Sequence, residues 1–297
     1  MDVLLTGATG FIGRAVAREL RSRGHDVVGL ARSDRSAESL SRAGLRIHRG
    51  DISDPQTVIS ALDRVDAVIH TAFNHDFSRY VENCAEDGKL LEAIAAALEG
   101  SNKALIATSA TTVTAAHGLA TEKDAAVDFV PRSASEAFLA YSERGVKASV
   151  VRLPPSVHGV GDTAFVPALI ALARDRGASA FIGDGANRWP AVHRNDAARL
   201  FCDALESSRG GERYHGVAED GISFRTIAET IGSGLGVSTE SVAPEGAEEH
   251  FGWLAMFAAD DMAASSSWTQ DSTGWSPSEV GLNEDMNSGG YFDTPDQ

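Results

Sequence analysis

Two cysteines in 297 residues, Cys84 and Cys202, leave no room for a disulfide scaffold. Both fall in predicted helices, which suits buried thiols in a reducing cytoplasm, with a single disulfide left open. Lysine is almost as scarce: Lys89, Lys103, Lys123 and Lys147 are the only four among 26 basic residues, against 42 acids and a net charge of −16. Such a surface disfavours nucleic acid and anionic membrane as partners. Tyrosine is confined to Tyr80, Tyr141, Tyr214 and Tyr291. No apolar stretch nears the ~18 residues of a membrane-spanning helix. No basic segment precedes the first apolar run, so no secretory signal is expected and the expected location is the cytoplasm. The histidines lack metalloprotease spacing, and neither Cys-x-x-Cys nor Gly-x-Ser-x-Gly occurs. A metal centre and the common serine hydrolase are therefore not expected.

What is present is concentrated at the start. Val3 to Leu5 form a short apolar run that leads into Gly7, Gly10 and Gly13, and an amphipathic helical pattern opens behind them. Strand, glycine turn and helix in that order build a pyrophosphate site. The first glycine permits the tight turn, the second lets the backbone approach the phosphates, and the third lets helix and strand pack closely. The helix N-terminus then offers free N–H groups and a partial positive charge to the anion. Gly24-His25-Asp26 leads into a second strand, which a structural glycine turn alone would not require.

Apolar runs then alternate with helical patterns at βαβ spacing. Strands are predicted near 2–6, 26–31, 45–49, 67–71, 103–108 and 147–152, with helices near 12–22, 55–62, 84–99 and 133–144. Strands this apolar point to an α/β fold, a doubly wound parallel sheet of the Rossmann type. After Pro154-Pro155 the rhythm changes. A helix is expected near 165–176, an extended stretch at Ala180-Phe181-Ile182, and a return to the sheet through 196–206 and Tyr214 to Val217. The division predicted is 1–155 as a dinucleotide-binding domain, completed by about 192–218. Residues 156–191 and 219–297 would form a smaller substrate cap over the C-terminal strand ends. Residues 223–297 read as two or three helices and loops, and 286–297 as partly disordered.

The loop Thr6-Gly7-Ala8-Thr9-Gly10-Phe11-Ile12-Gly13 resembles the cofactor loop of the extended and atypical short-chain dehydrogenase/reductases, the group that includes the sugar-nucleotide epimerases and dehydratases. Later segments fit the same group in order. They are Gly50-Asp51, Val68 to Ala72, Ala107-Thr108-Ser109, Val151-Arg152-Leu153-Pro154, Val157-His158-Gly159 and Val192 to Ala198. The likeness covers residues 1 to about 235. It implies a nicotinamide dinucleotide held by Gly7, Thr9, Gly10, Phe11 and Ile12, by Asp51 and Ile52 at the adenine, and by Thr71, Ala72 and Pro154. At the ribose position Ala31 stands where NAD-preferring relatives carry an acid, and Arg32 follows. An arginine there can hold a 2′-phosphate through charge-assisted bonds worth roughly 1.5–3 kcal/mol. NADP(H) is therefore the expected cofactor. NAD(H) remains possible through Asp34, and an idle surface arginine is the alternative.

The group's chemistry rests on a Tyr and a Lys four residues later. The residues four after the tyrosines are Cys84, Gly145, Ala218 and Pro295, so the pair does not exist in this chain. Glu136 matches the acid that follows that lysine, which puts Arg132 in the lysine's place and Asp128 in the tyrosine's. Arg132 can hold ribose hydroxyls but cannot shuttle a proton, because a guanidinium stays protonated. Ser109 keeps the first serine of the group's pair, Ala110 replaces the second, and Thr111 or Thr112 would have to substitute. His75 and Tyr80, on the loop after the fourth strand, are the nearest acid–base groups, with a merely solvated loop as the alternative. His158 and His193 read as packed, hydrogen-bonded histidines. These residues predict an NADP(H)-dependent oxidoreductase acting on a small organic carbonyl or alcohol with a non-standard proton donor. The alternatives are a lyase, isomerase or cyclase on the same fold, or a nucleotide-sensing protein. Ala-rich faces (Ala93, Ala96, Ala97; Ala134, Ala137) allow a homodimer, or simply pack on the chain's own sheet.

Overall fold

The computed structural model describes residues 1–114, 118–207 and 209–293. Seven parallel strands form the main sheet in the order β10-β6-β5-β4-β1-β2-β3. They are β1 (Asp2–Thr6), β2 (Asp26–Ala31), β3 (Arg46–Arg49), β4 (Ala67–His70), β5 (Ala104–Ala110), β6 (Lys147–Leu153) and β10 (Arg213–His215). Alternation along the strands feeds two cores. Val3 and Leu5 face one side with helices α1 (Phe11–Ser22) and α6 (Arg194–Ser207), while Leu4 faces the other with α3 (Pro55–Ile59) and α4 (Tyr80–Ala97). The α/β doubly wound sheet is as predicted. The strand order reverses between β1 and β4, and the crevice at that switch point is where open α/β sheets bind ligands.

Three differences from the sequence reading have physical causes. Helix α2 (Asp34–Arg42) was not expected: it buries only Ala37 and Leu40, and its N-terminus is fixed by a reciprocal Ser33–Ser36 cap rather than by an apolar stripe. Helix α4 starts at Tyr80, so Tyr80 lies on the first helical turn and not in the preceding loop, where residues Phe77–Arg79 wind into a 3₁₀ turn. The helix at Pro131–Arg144 is a 3₁₀ helix throughout, far beyond the usual 3–4 residues. Arg132, Ser135 and Phe138 are buried in one column and Glu136 with Leu139 in the next, while Ala137, Ala140 and Glu143 form an exposed third column.

The smaller unit holds β7 (Ser156–His158), α5 (Phe165–Arg176), β8 (Ala178–Ile182), β9 (Arg188–His193), β11 (Glu219–Ser223), α7 (Phe224–Leu235) and β12 (Ser238–Val242), followed by α8 (Ala247–Phe251) and α9 (Ala255–Ala258). Its strands pair as β11-β9-β7 and β12-β8. Trp189 is fully buried at its centre and donates its indole N–H to Phe257 O at 3.1 Å. Beyond it lie α10 (Ser267–Thr273) and α11 (Leu282–Ser288). The segment from 223 therefore carries more structure than two or three helices. Trp275 joins the core of the main sheet and bonds Asp196 O at 2.9 Å, so this part of the chain clads the larger body. Over 286–293 the expectation of disorder fails: Met286 is fully buried, and the Tyr291 hydroxyl accepts the Gly159 N–H at 3.1 Å. Residues 294–297 lie outside the described residues. Cys84 and Cys202 are buried free thiols, and among the described residues no helix is long and apolar enough to cross a membrane.

Candidate functional site

The glycine loop has the geometry its sequence requires. Gly7 adopts φ +70°, and a Cβ there would lie 2.7 Å from Ala72 N; a Cβ on Gly13 would lie 2.0 Å from Gly7 O. Both glycines are fixed by backbone closeness, not by composition. Gly10 is the N-cap of α1 and supplies no side-chain cap, so the first amides of α1 are left for an anion. Thr71 Oγ1 donates to Thr6 O at 2.8 Å, which holds the end of β4 against the loop. Gly7 and Gly13 thus hold the turn tightly against the end of β4 and against α1, and the uncapped first amides of α1 fit a dinucleotide diphosphate.

Around the crevice the other expected contacts take their places. Arg32 is exposed at the end of β2, with no ion-pair or hydrogen-bond partner among the described residues. Asp34 turns outward, its side chain 99% exposed, and takes Arg49 at 2.6 Å. Asp51 closes the β3 end, accepting Ser53 N–H at 3.0 Å, and Ile52 packs on the core. Pro154 is buried just past β6. Asp128, in the place of the missing tyrosine, is exposed.

Arg132 lies at the inner end of the cleft, 7% exposed. One amino group donates to Asp87 Oδ2 at 2.6 Å and the other to Thr108 O at 2.8 Å, while the guanidinium carbon stands 4.4 Å from the centre of the Phe73 ring. Asp87 Oδ1 accepts from His70 Nε2 at 2.8 Å, and His70 Nδ1 is 2.8 Å from Thr6 Oγ1. Burial pushes the Asp87 carboxyl up, but His70 and Arg132 overcome it and hold it below the ordinary range. His70 and Asp87 were not anticipated from sequence; a histidine inside an apolar strand and an aspartate on the buried face of an alanine-rich helix were the available signals.

Tyr80 stacks on Phe77 (centroids 5.9 Å) and meets Phe73 edge-on at 6.4 Å. Burial, with Cys84 beside it, pushes its phenol up to about 12, against an opposing pull from Arg132. His75 behaves oppositely. The residue is exposed, but partial desolvation of its ring beside Phe73 (5.4 Å) and Phe77 (6.3 Å), and then the Arg132 cation, hold the imidazolium below the usual histidine range. At neutral pH the phenol is protonated and the imidazole neutral. Phe77 continues the aromatic surface to the cap, stacking on Trp253 at 4.9 Å and meeting Phe165 at 6.0 Å and Phe257 at 6.4 Å. These rings come from three separate stretches of the chain, 73–80, Phe165 and 253–257, so their convergence was invisible to sequence spacing.

Ser109 and Thr111 part company. The Ser109 hydroxyl donates to Glu136 Oε1 at 2.8 Å, while Thr111 Oγ1 is buried without a partner. Glu136 also receives Arg152 through two bonds (2.7 and 2.8 Å) and Arg213 at 3.1 Å. Burial raises its carboxyl, and Arg152, Ser109 and Arg213 more than reverse that. Behind the pair, burial lowers His215 from 6.5 to about 4. Both groups have folded pKa values below their unfolded ones, so their stabilisation is complete above the unfolded values and is lost as pH falls through the folded ones. The thermal midpoint should therefore fall between pH 6.5 and 4, and His215→Gln should flatten that slope. An identical slope in parent and variant would refute the assignment. His158 and His193 are buried, His158 Nδ1 lying 2.8 Å from Asp285 Oδ2 and His193 Nδ1 accepting Asn195 N–H at 3.2 Å. Among the described residues no group of three metal-ligating side chains gathers.

Residues 3–217 match the NAD dependent epimerase/dehydratase family. An uncharacterized protein of Schizosaccharomyces pombe is 46% identical over 295 residues, covering 98% of this chain and 100% of that one. The 2-alkyl-3-oxoalkanoate reductase of Stenotrophomonas maltophilia is 33% identical over 235 residues, 73% of this chain and 69% of that protein. Among solved structures, the dTDP-glucose 4,6-dehydratase DesIV of Streptomyces venezuelae superimposes with a TM-score of 0.77 at 21% identity, covering 98% of this chain and 96% of that one. At that identity the likeness concerns the fold. With the glycine cradle, the switch-point crevice and the family match in agreement, the chain belongs to the NAD dependent epimerase/dehydratase family and is an NAD(P)-dependent enzyme of the oxidoreductase type.

Proposed function

We propose that the protein is an NADP(H)-dependent reductase of small, largely apolar carbonyl compounds, with Tyr80 as the proton donor. The observation that supports this reading is that the Phe73 ring, which carries the Arg132 guanidinium at 4.4 Å, meets the ring of Tyr80 edge-on at 6.4 Å, while burial keeps the Tyr80 phenol protonated. A nicotinamide held in the crevice would supply hydride chemistry to a carbonyl carbon. Tyr80 would give its proton to the carbonyl oxygen, Arg132 would steady the resulting phenolate, and water would return the proton. Phe73, Phe77, Phe165 and Trp253 suit an apolar substrate better than a charged one. The S. maltophilia relative is named for reducing an alkyl-substituted oxoalkanoate, which supports a ketone with apolar flanks. Incubation with NADPH and medium-chain 2-alkyl-3-oxo acids or aryl ketones should consume the reduced-nicotinamide absorbance in step with substrate. NADPH binding with no oxidation by any carbonyl compound would end this reading in favour of a non-redox enzyme or a nucleotide sensor.

The cofactor preference rests on Arg32, exposed and unpartnered beside Ala31. NADPH should bind at least about tenfold tighter than NADH, equivalent to about 1.4 kcal/mol, and Arg32→Ala should erase the difference. Equal affinities in the parent protein would remove the preference.

A homodimer is proposed through α4 and the 131–144 helix. Their mutual contact uses Gly88, where a Cβ would lie 2.7 Å from Ala134 O, so Ala134 is spent within the chain. Ala96, Ala97 and Ala137 stay exposed and allow close approach of a second copy. A monomer mass in sedimentation at micromolar concentration would exclude it.

A further inference from the structure

We propose that Asp87 is a positioning residue: with His70 behind it, it locks the Arg132 guanidinium in one orientation against the Phe73 ring, which Tyr80 meets edge-on. This rests on the reading of Tyr80 as proton donor. The Asp87 side chain is 4% exposed and both of its oxygens are committed, one to His70 and one to Arg132. His70 is fully buried, and its orientation is set in turn from the cofactor loop. Thr6 Oγ1 accepts Ala72 N–H at 3.4 Å, which turns the Thr6 proton toward His70 Nδ1 and leaves Nε2–H to donate to Asp87. A buried line of four side chains, Thr6–His70–Asp87–Arg132, therefore runs from the residue before Gly7 to the base of the cleft.

The far end of this line is held equally firmly. Arg132 bonds Thr108 O with its second amino group, and the Phe73 ring lies over its face. Close approach of Gly88 and Ala134 fixes α4 against the 131–144 helix one residue from Asp87 and two from Arg132. An arginine on a long, flexible stem would otherwise sample many rotamers. Here it is confined by a carboxylate, a carbonyl and a ring. A cation that must meet charge only as that charge develops gains most from such preorganisation. The charge of Asp87 matters as well as its shape. It balances Arg132, so the field felt by the titratable groups around it is that of a partly compensated cation. Those groups are Tyr80 and Cys84 on α4, His75 on the loop and His70 on β4. Without the carboxylate the uncompensated guanidinium would favour the phenolate and disfavour the imidazolium.

The test is Asp87→Asn, which keeps shape and removes charge. Ionisation of Tyr80 can be followed as the phenolate absorbance difference between Asp87→Asn and Asp87→Asn/Tyr80→Phe, set against the same difference in the parent background. The expected result is turnover lower by about tenfold or more, NADPH affinity nearly unchanged, and a Tyr80 midpoint shift that differs from the shift the same exchange produces in an Arg132→Gln background. In that background only the lost Asp87 charge acts on the Tyr80 midpoint, and turnover should not change. Equal effects on turnover or on the midpoint with and without Arg132 overturn the proposal. Should Asp87→Asn alone fail to fold, the Asp87→Asn/Arg132→Gln pair buries no unmatched charge. Its turnover should equal that of Arg132→Gln, and a tenfold difference would overturn the proposal. Failure of the proton-donor reading looks different: Tyr80→Phe would then turn over normally while the spectroscopic shift in Asp87→Asn persisted.

Discussion

Tyr80→Phe should lower carbonyl turnover by about 10²–10⁴-fold and leave NADPH affinity nearly constant. The substitution removes one oxygen and keeps the ring, so the stack on Phe77 and the edge contact with Phe73 survive. What is lost is the proton. Burial keeps the phenol protonated well above neutral pH, and Arg132 stands ready to stabilise the phenolate formed when the proton leaves. His75→Ala should cost less, because the imidazole is held below the usual histidine range and is neutral at pH 7, with no imidazolium proton to give. Its removal would chiefly loosen the Phe73–Phe77 surface. The comparison is made by steady-state kinetics on one substrate at saturating NADPH, with cofactor affinity measured separately by fluorescence. If Tyr80→Phe turns over like the parent, the proton comes from water, the substrate or a cap residue, and the site is misassigned.

The legibility of this molecule in its sequence follows the range of the interactions involved. The first β-strand, the glycine turn and α1 are local: thirteen residues contain the whole pattern, and Gly7 and Gly13 meet atoms within that turn and at Thr71–Ala72. The central strands were legible because they are apolar along their length, whereas the outer β3 (Arg-Ile-His-Arg) and β10 (Arg-Tyr-His) carry little apolar signal of their own. A helix near 133–144 was legible, but its 3₁₀ winding was not, because 3₁₀ helices of that length are too rare to be expected. The catalytic end was only half legible. Absence of Tyr-x-x-x-Lys could be established by inspection, because four tyrosines make the search complete. What stands in the gap could not, since Asp87 and Arg132 are 45 residues apart and Arg152 and His215 are 63 apart. Pairings at that distance leave no periodic trace. Ser109 illustrates the consequence: similarity to a family motif made it a catalytic candidate, and the residue its hydroxyl donates to, buried Glu136, lies 27 positions away.

Gly13→Ala is expected to weaken NADPH binding by more than about a hundredfold, equivalent to about 2.7 kcal/mol. The added methyl would lie 2.0 Å from Gly7 O, 2.7 Å from Gly7 C and 2.9 Å from Thr71 Oγ1. Two of these are backbone atoms, and Gly7 O is already tied to Gly10 N–H at 2.8 Å. No rotamer change relieves the clash, so either α1 must withdraw from β1 or the Gly7–Gly10 turn must open. Each movement displaces the amides of the loop from one another, and those amides are what a diphosphate would bind. Overpacking of this kind costs about 1–3 kcal/mol or more in stability, which for a chain of this size lowers the thermal midpoint by a few degrees. Circular dichroism should still show a folded protein. Two companion variants separate steric from conformational effects. Gly10→Ala meets only Gly7 O, at 3.2 Å, and should disturb the fold far less. Gly24→Ala lies at φ +82° with nothing within 4 Å; it should lose about 1–2 kcal/mol of stability through the left-handed backbone alone and bind NADPH like the parent. A folded Gly13→Ala protein with parental NADPH affinity would show that the crevice at Gly7–Gly13 is not where the dinucleotide binds.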